Sequence, residues 1–354
     1  MALDWKTFTQ RPYIKSLPLE EQVRLFHIAN EKSIRLREQQ FKDFANSNSI
    51  SYGAAGGDPE TYASSLLLDT YRGALLALSF RKLRTDYTGS VIRVRRDNDN
   101  AEEDIGFSGN ALDETALLDH VGSNNGYIVT WYNQSEIANA QNITQPLAAQ
   151  QAQIVTSGTI YKQNGYPYAY FNNDYYNFYN AAPQLTPNPP YMAFGVQTRY
   201  DDTKQIAYLG RNNYSNSPRL AVIEANDTIQ FFGSDEVGSL GNGTLSGTYD
   251  VPSTDMSIIA GYQGQTTRPD GNYDVNALYL NNVLKDDTPS PSTNWRSTVY
   301  YFGRYVNSGT YGNIFEFIFY HDLLNESYYS SNNYPTLDNF NTMRQNVNNY
   351  YSIY

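Results

Sequence analysis

The chain has 354 residues, 40% of them hydrophobic, enough for one large domain with a sizeable core and an accessory segment. Charged residues are sparse at 17% and the formal balance is −11, which argues against the basic stripe of a nucleic-acid binder. There is no cysteine, which excludes disulfides, thiolate metal sites and a cysteine nucleophile, and no run reaches the roughly 18 apolar residues of a membrane-spanning helix.

Tyrosine is heavily used, at 33 residues, alongside much Asn, Gly, Ser and Thr. That is a composition for twisted β-structure with polar turns. In chain order, residues 1–17 read as an irregular segment, with Trp5 and Pro12, that could drape over a partner. A helix is expected from about 18 to 44. Pro18 suits its first turn, Glu20 and Glu21 favour the positive end of its dipole, and Leu19, Val23 and Phe26 recur at helical spacing. It reads as an anchoring or oligomerisation helix, the alternative being a helix packed on its own domain. The Asn/Ser/Gly-rich stretch from Asn46 to Pro59 reads as a linker. The division is therefore an N-terminal attachment segment, 1–60, and a β domain, 61–354.

Within 62–84, Ala74-Leu75-Leu76-Ala77-Leu78 is expected as a helix. Val91 to Arg95 alternates with period two and predicts a strand. The acidic turn Asp97–Asp104 follows, then a short helix from Asp113 to His120 and a strand from Tyr127 to Tyr132. From about 153 onward, short strand candidates alternate with turn clusters. They include Tyr168–Phe171, Tyr191–Val196, Thr228–Phe232, Ser257–Tyr262 and Ala277–Leu280, and Asn281-Asn282 marks a tight hairpin. The spacing is that of an antiparallel sandwich. Tyr311–Tyr320 reads as an aromatic strand that includes Glu316, and a helix is expected from Asp338 to Val347 before the tail Asn349-Tyr350-Tyr351.

Phe80-Arg81-Lys82-Leu83-Arg84, the strand Val91–Arg96, the acidic turn, Leu112-Asp113-Glu114 and Gly126–Ser135 form one ordered block. It resembles the opening of arabinofuranosidase-B-like, concanavalin-A-like sandwich domains, many of which are carried by bacteriophage virion proteins. The closing strands and Tyr-Tyr tail are similar to those of laminin-G-like and concanavalin-A-like domains. The resemblance implies a mainly β fold, a concanavalin-A-like jelly-roll antiparallel sandwich behind an N-terminal helical segment, and sugars as the ligand class.

The acidic turn offers Asp97, Asp99 and Asp104 as oxygen ligands for Ca²⁺, although it lacks the Gly and distal Glu of an EF-hand loop, and Asn and Asp also simply make turns. Tyr168, Tyr170, Asn172, Asp174 and Tyr176 are candidate saccharide contacts, since a tyrosine ring stacks on sugar and its hydroxyl binds. The alternatives are core and cross-strand pairs, or a protein interface. His27, His120 and His321 fall at no ligand or triad spacing and read as structural. No segment matches the catalytic segments of the arabinofuranosidases, which are disulfide-bonded, and Asn133 and Glu136 stand where the family usually has Asp and Gly. The expectation is therefore no enzyme, and no cofactor beyond Ca²⁺ at the acidic turn. The reading is a capsid- or tail-associated virion adhesin, synthesised in a host bacterial cytoplasm. It would be homo-oligomeric, held to other virion proteins through residues 1–50, and would bind a host-surface glycan, with no nucleic acid and no membrane insertion. A sugar-free decoration or adaptor protein and a glycoside hydrolase are the other classes.

Overall fold

The computed structural model describes residues 66–137, 140–177, 191–199, 206–210, 219–223, 228–232, 244–252, 255–264, 275–287, 301–305, 308–320 and 337–354. The chain divides at Ser64/Ser65 into two units, and every described residue belongs to the second. The predicted helix at about 18–44, with Leu19, Val23 and Phe26, lies outside the described residues, as do His27 and His321.

The described unit is mainly β and its strand pairings are antiparallel. The strands used below are β1 (Ala74–Ser79), β2 (Ile92–Arg96), β3 (Glu102–Ile105), β4 (Gly126–Trp131), β5 (Ile143–Thr144), β6 (Gln153–Thr156), β7 (Ala169–Asp174), β8 (Tyr176–Asn177) and β9 (Tyr191–Arg199). They continue with β10 (Ile206–Ala207), β11 (Arg219–Ile223), β12 (Thr228–Phe232), β13 (Thr244–Thr248), β14 (Ser257–Gly264), β15 (Val275–Leu280), β16 (Val283–Asp286), β17 (Tyr301–Phe302), β18 (Arg304–Tyr305) and β19 (Ser308–Tyr320). The main sheet runs β3-β2-β4-β6-β7-β19-β9-β14-β15-β16. A four-stranded sheet, β10-β11-β12-β13, contributes Ile206 and Ile229 to the same core as the main sheet. This is the β-sandwich expected from the strand spacing.

Alternation along the long central strand β19 divides the interior. Ile314, Phe317 and Phe319 enter the core between the sheets, with Ile92, Val94, Ile128, Trp131 and Phe171. Phe315, Ile318 and Tyr320 enter a second core on the opposite face, hereafter the outer face. Helix α3 (Leu337–Tyr351) closes that second core; the other two α-helices among the described residues are α1 (Leu67–Thr70) and α2 (Glu114–Val121). On α3, Phe340, Met343, Val347 and Tyr351 are buried at the spacing of one helical face, and Phe340 packs 5.1 Å from Phe194 of β9. The sequence placed this helix at Asp338–Val347; the last turn carries it on to Tyr351.

The expected helix at Ala74–Leu78 is instead strand β1, all six of whose residues are buried. Ala and Leu favour helix intrinsically. Here Leu75, Leu76 and Leu78 fill one core while Ala74 and Ala77 fill the other, so tertiary burial on both faces overrides propensity. One edge of β1 pairs with β19. Its other edge is met by the side chains of Asn133-Gln134-Ser135. Asn133 accepts from Ala77 N (2.8 Å) and donates to Leu75 O (2.9 Å). Gln134 accepts from Leu83 N (2.8 Å) and donates to the carbonyls of Ser79 (3.1 Å) and Arg81 (2.9 Å), and Ser135 Oγ donates to Ala74 O. Three consecutive polar side chains thus satisfy an edge that would otherwise leave buried backbone groups unpaired.

A bulge in β19 places the buried charge of this fold. Val196 stands opposite Glu316 and Gln197 opposite Ile314, so Phe315 and Glu316 both turn toward α3. Glu316 takes the Arg81 guanidinium bidentately (2.7 and 2.8 Å), the Ser79 hydroxyl (2.7 Å) and the Tyr351 hydroxyl (3.2 Å). Arg81 also lies 4.6 Å from the centre of the Tyr350 ring and donates to Asn346 (3.2 Å), which ties α3 to the sheet.

The short helix expected at Asp113–His120 is α2, with Asp113 as its N-cap accepting from Ala116 N at 3.0 Å. The Asn281-Asn282 hairpin forms with Leu280 opposite Val283 and Asn281 at φ 53°.

Candidate functional site

Helix α3 covers the outer face over β9, β14 and the C-terminal part of β19. Elsewhere on that face the outward side chains line up across strands. Arg95 stands opposite Tyr127, Tyr127 opposite Gln153, Gln153 opposite Tyr170, Tyr170 opposite Asn313, and Asn313 opposite Thr198. Their neighbours Val94, Ile128, Ile154, Phe171 and Ile314 point the other way, into the inter-sheet core. Of the row, only Thr198 is fully buried; Arg95, Tyr127, Gln153, Tyr170 and Asn313 are half-buried. Tyr161 joins from the adjoining hairpin. It stacks on Tyr168 (5.5 Å, 13°) and leans on Tyr170 (5.5 Å, 47°). Tyr168 continues to Phe315 under α3 at 5.3 Å, so the rings are fixed from below. Burial raises the pKa of Tyr127 and of Tyr168, so both hydroxyls keep their protons at neutral pH and can donate.

A second row crosses the same face: Asp104, Arg93, Thr130, Thr144, Asn177 and Tyr301 are successive cross-strand partners. Thr130 and Thr144 hydroxyls meet at 3.4 Å. At the far end, the rings of Tyr175 and Tyr301 meet edge-on at 5.5 Å with Arg304 against both.

The five residues singled out in the sequence separate into two groups. Tyr168 and Tyr170 belong to the ring cluster, and Asn172 is exposed beyond them, opposite Tyr311. A bulge between Asn172 and Asp174 then turns the chain. Asp174 is buried, accepts from Asn172 N at 2.6 Å, and burial pushes its pKa up to about 6. Tyr176 lies wholly in the inter-sheet core, where its hydroxyl donates to Ile128 O (2.8 Å) and accepts from Ala152 N (3.0 Å). The structure thus brings three of the five to the outer face and two inside. Arg95, Tyr127, Gln153, Tyr161 and Asn313 were not singled out. Period-two alternation places Arg95 and Tyr127 opposite core residues within their own strands, but cross-strand register alone makes them neighbours.

The acidic turn holds no Ca²⁺ ligand set of the kind expected. Asp97 is taken by the backbone and side-chain amides of Asn125 (3.1 and 2.8 Å). Asp99 is taken bidentately by Arg96 (2.8 Å each), and Asp104 by Arg93 (2.7 and 2.8 Å) and the Tyr132 hydroxyl (2.7 Å). The Arg96 hydrogen bonds lower Asp99 to about 2, and those of Arg93 lower Asp104. Among the described residues no three His, Asp or Glu side chains converge to hold a metal ion. The segment is a β2–β3 hairpin whose carboxylates are spent on neighbouring cations and amides. His120 is structural, with Nε2 3.1 Å from Val94 O and Nδ1 3.1 Å from Glu103.

No family model and no curated protein matches the chain. Solved structures do. A GH54 α-L-arabinofuranosidase soaked with 4-nitrophenyl α-L-arabinofuranoside matches with TM-score 0.50 at 16% identity, over 77% of this chain and 62% of its own. An arabinofuranosidase complexed with arabinofuranosyl-α-1,2-xylobiose matches over the same shares with TM-score 0.49 at 14% identity. The Ruminococcus gnavus IT-sialidase CBM40 bound to α2,3-sialyllactose matches at 13% identity with TM-score 0.30, over 40% of this chain and 80% of its own. The chain therefore spans about 62% of the length of these arabinofuranosidase structures, and with the first of them it shares a β-sandwich fold. This corrects the expectation of no enzyme. That exclusion came from absent cysteines and unmatched catalytic segments, yet the likeness of fold to a glycoside hydrolase extends over 77% of the chain.

Proposed function

We propose that the chain binds saccharide on the open part of its outer face, as a capsid- or tail-associated bacteriophage adhesin. The observation that carries the saccharide reading is the register row Tyr127–Gln153–Tyr170–Asn313, with Tyr161 and Tyr168 stacked beside it. Tyrosine rings offer a flat apolar surface for the face of a sugar ring and a hydroxyl for its rim. Gln153 and Asn313 add side-chain amides to the row. The fold shared with an arabinofuranosidase supports this reading. The virion part rests on the opening block's resemblance to phage sandwich domains. In it, residues 1–50 hold the chain to other virion proteins and to copies of itself, leaving the tyrosine face to a host-surface glycan.

A second reading is a glycoside hydrolase of the arabinofuranosidase type, favoured by the fold likeness over 77% of the chain. One experiment addresses both. The full chain is applied to a glycan array and to host polysaccharide while released sugar is measured. Binding that Tyr170→Ala weakens about tenfold or more, with unchanged melting temperature, supports the tyrosine face as the site. Sugar release identifies a hydrolase. A folded chain that binds nothing overturns the saccharide reading and leaves a structural adaptor.

A further inference from the structure

We infer that the saccharide on the open face is acidic and that Arg304 reads its carboxylate or sulfate. The inference rests on the saccharide-binding reading above and names the ligand class of that same face. Arg304 opens β18, and its guanidinium lies 4.5 Å from the centre of the Tyr175 ring and 4.8 Å from that of Tyr301. Tyr301 stands opposite Asn177, and Asn177 opposite Thr144, so this cation sits at the end of the second outward row.

Four other described arginines are neutralised by carboxylates. Arg81 is spent on Glu316, Arg84 on Asp86, Arg93 on Asp104 and Arg96 on Asp99. Arg304 forms no ion pair with a described carboxylate, and its buried Nε has no hydrogen-bond partner. The acid next to Tyr175 in sequence, Asp174, is buried on the backbone of Asn172. Arg95 is the useful contrast. It too lies on a ring, 5.0 Å from Tyr127, but it stands opposite Glu102 and is bonded to Gln151 and Asn100.

Ring faces fix a guanidinium without cancelling its charge, whereas a carboxylate partner would cancel it. The planar fork matches a carboxylate or sulfate through two parallel hydrogen bonds. Held between two half-buried rings, it has little rotamer freedom left to lose on binding. On a chain of net charge −11, an arginine held against two tyrosines and paired with no described carboxylate is a built point of attraction for an anionic sugar.

The test titrates the full chain with matched ligands: trigalacturonic acid and its methyl ester, and sulfated and unsulfated lactose. The expected result is that the acidic member of a pair binds about tenfold tighter than its neutral form. Salt should close that gap, and so should Arg304→Gln, while Tyr170→Ala weakens both members. Arg304→Lys, which keeps the charge but loses the fork, should restore only part of it. Equal binding of acidic and neutral members by the unaltered chain overturns the acidic-ligand inference and leaves the saccharide reading standing. A gap that survives in Arg304→Gln overturns the assignment to Arg304. No binding of any of the four ligands overturns both. If Arg304→Gln fails to fold, the gap and its salt dependence in the unaltered chain still decide whether the ligand is acidic, and Arg304→Lys decides the residue.

Discussion

Glu316 is wholly buried and takes the Arg81 guanidinium on both oxygens, at 2.7 and 2.8 Å. The two are 235 residues apart, one just after the first strand of the described unit and one in the central strand. The Ser79 and Tyr351 hydroxyls complete the site, so strand, strand and closing helix meet on one carboxylate. Burying two charges is costly, and such a pair is repaid only by complete hydrogen bonding. Glu316→Leu leaves the guanidinium without its partner and is expected to cost about 3–5 kcal/mol in urea unfolding. The pair Arg81→Met with Glu316→Leu should recover most of that loss. A double variant no better than the single one would refute the account.

Gln134 makes three buried bonds to the end of β1 and the segment just after it, at 2.8 Å to Leu83 N, 3.1 Å to Ser79 O and 2.9 Å to Arg81 O. Gln134→Ala leaves Leu83 N and the carbonyls of Ser79 and Arg81 without that partner, each at about 1–3 kcal/mol. The expected loss is about 3 kcal/mol or more, with faster amide exchange at Leu83. A loss below about 1 kcal/mol would mean that water takes over the edge.

Asp174 gives the fold a pH dependence of defined sign. Burial raises its pKa to about 6, so the native state holds this proton more tightly than the unfolded chain does. Its contribution is fully present below about pH 4 and is lost as pH rises through about 6, a change of about 3 kcal/mol at most. Asp174→Asn should flatten the stability profile between pH 4 and 7 and raise stability at pH 8. Asp99 and Asp104, whose pKa values are lowered by arginines, act in the opposite sense: their contribution is lost as pH falls below about 4. The comparison of Asp174→Asn with the unaltered chain therefore isolates the group, and an unchanged slope would count against it.

A Cβ on Gly195 would stand 2.4 Å from the Tyr208 ring. That ring is pinned, stacked on Phe317 at 4.7 Å, with its hydroxyl donating to Gln197 at 2.7 Å. Gly195→Ala should cost about 1–3 kcal/mol by overpacking. In a Tyr208→Ala background that increment should vanish, as a double-mutant cycle by thermal unfolding would show.

Calcium provides a simple check on the acidic turn. With Asp97, Asp99 and Asp104 bonded to Asn125, Arg96 and Arg93 respectively, added Ca²⁺ should leave the melting temperature unchanged. A concentration-dependent rise would show that the cation can displace these partners.

By itself the sequence determined what depends on neighbours along the chain. Period-two alternation marked Val91–Arg95, β-branched and aromatic residues marked Tyr127–Tyr132, Asn281-Asn282 marked a hairpin, and a closing helix was legible at Asp338–Val347. Only the tertiary structure decided β1, because a short apolar run covered on both faces carries no period to separate strand from helix. It alone decided that Tyr170 faces outward while Asp174 and Tyr176 turn in, since the bulge after Asn172 has no local signature. It also made neighbours of Arg95, Tyr127, Gln153, Tyr170 and Asn313. Strand register is set by packing between distant segments, so a row drawn from five strands exists nowhere in the sequence.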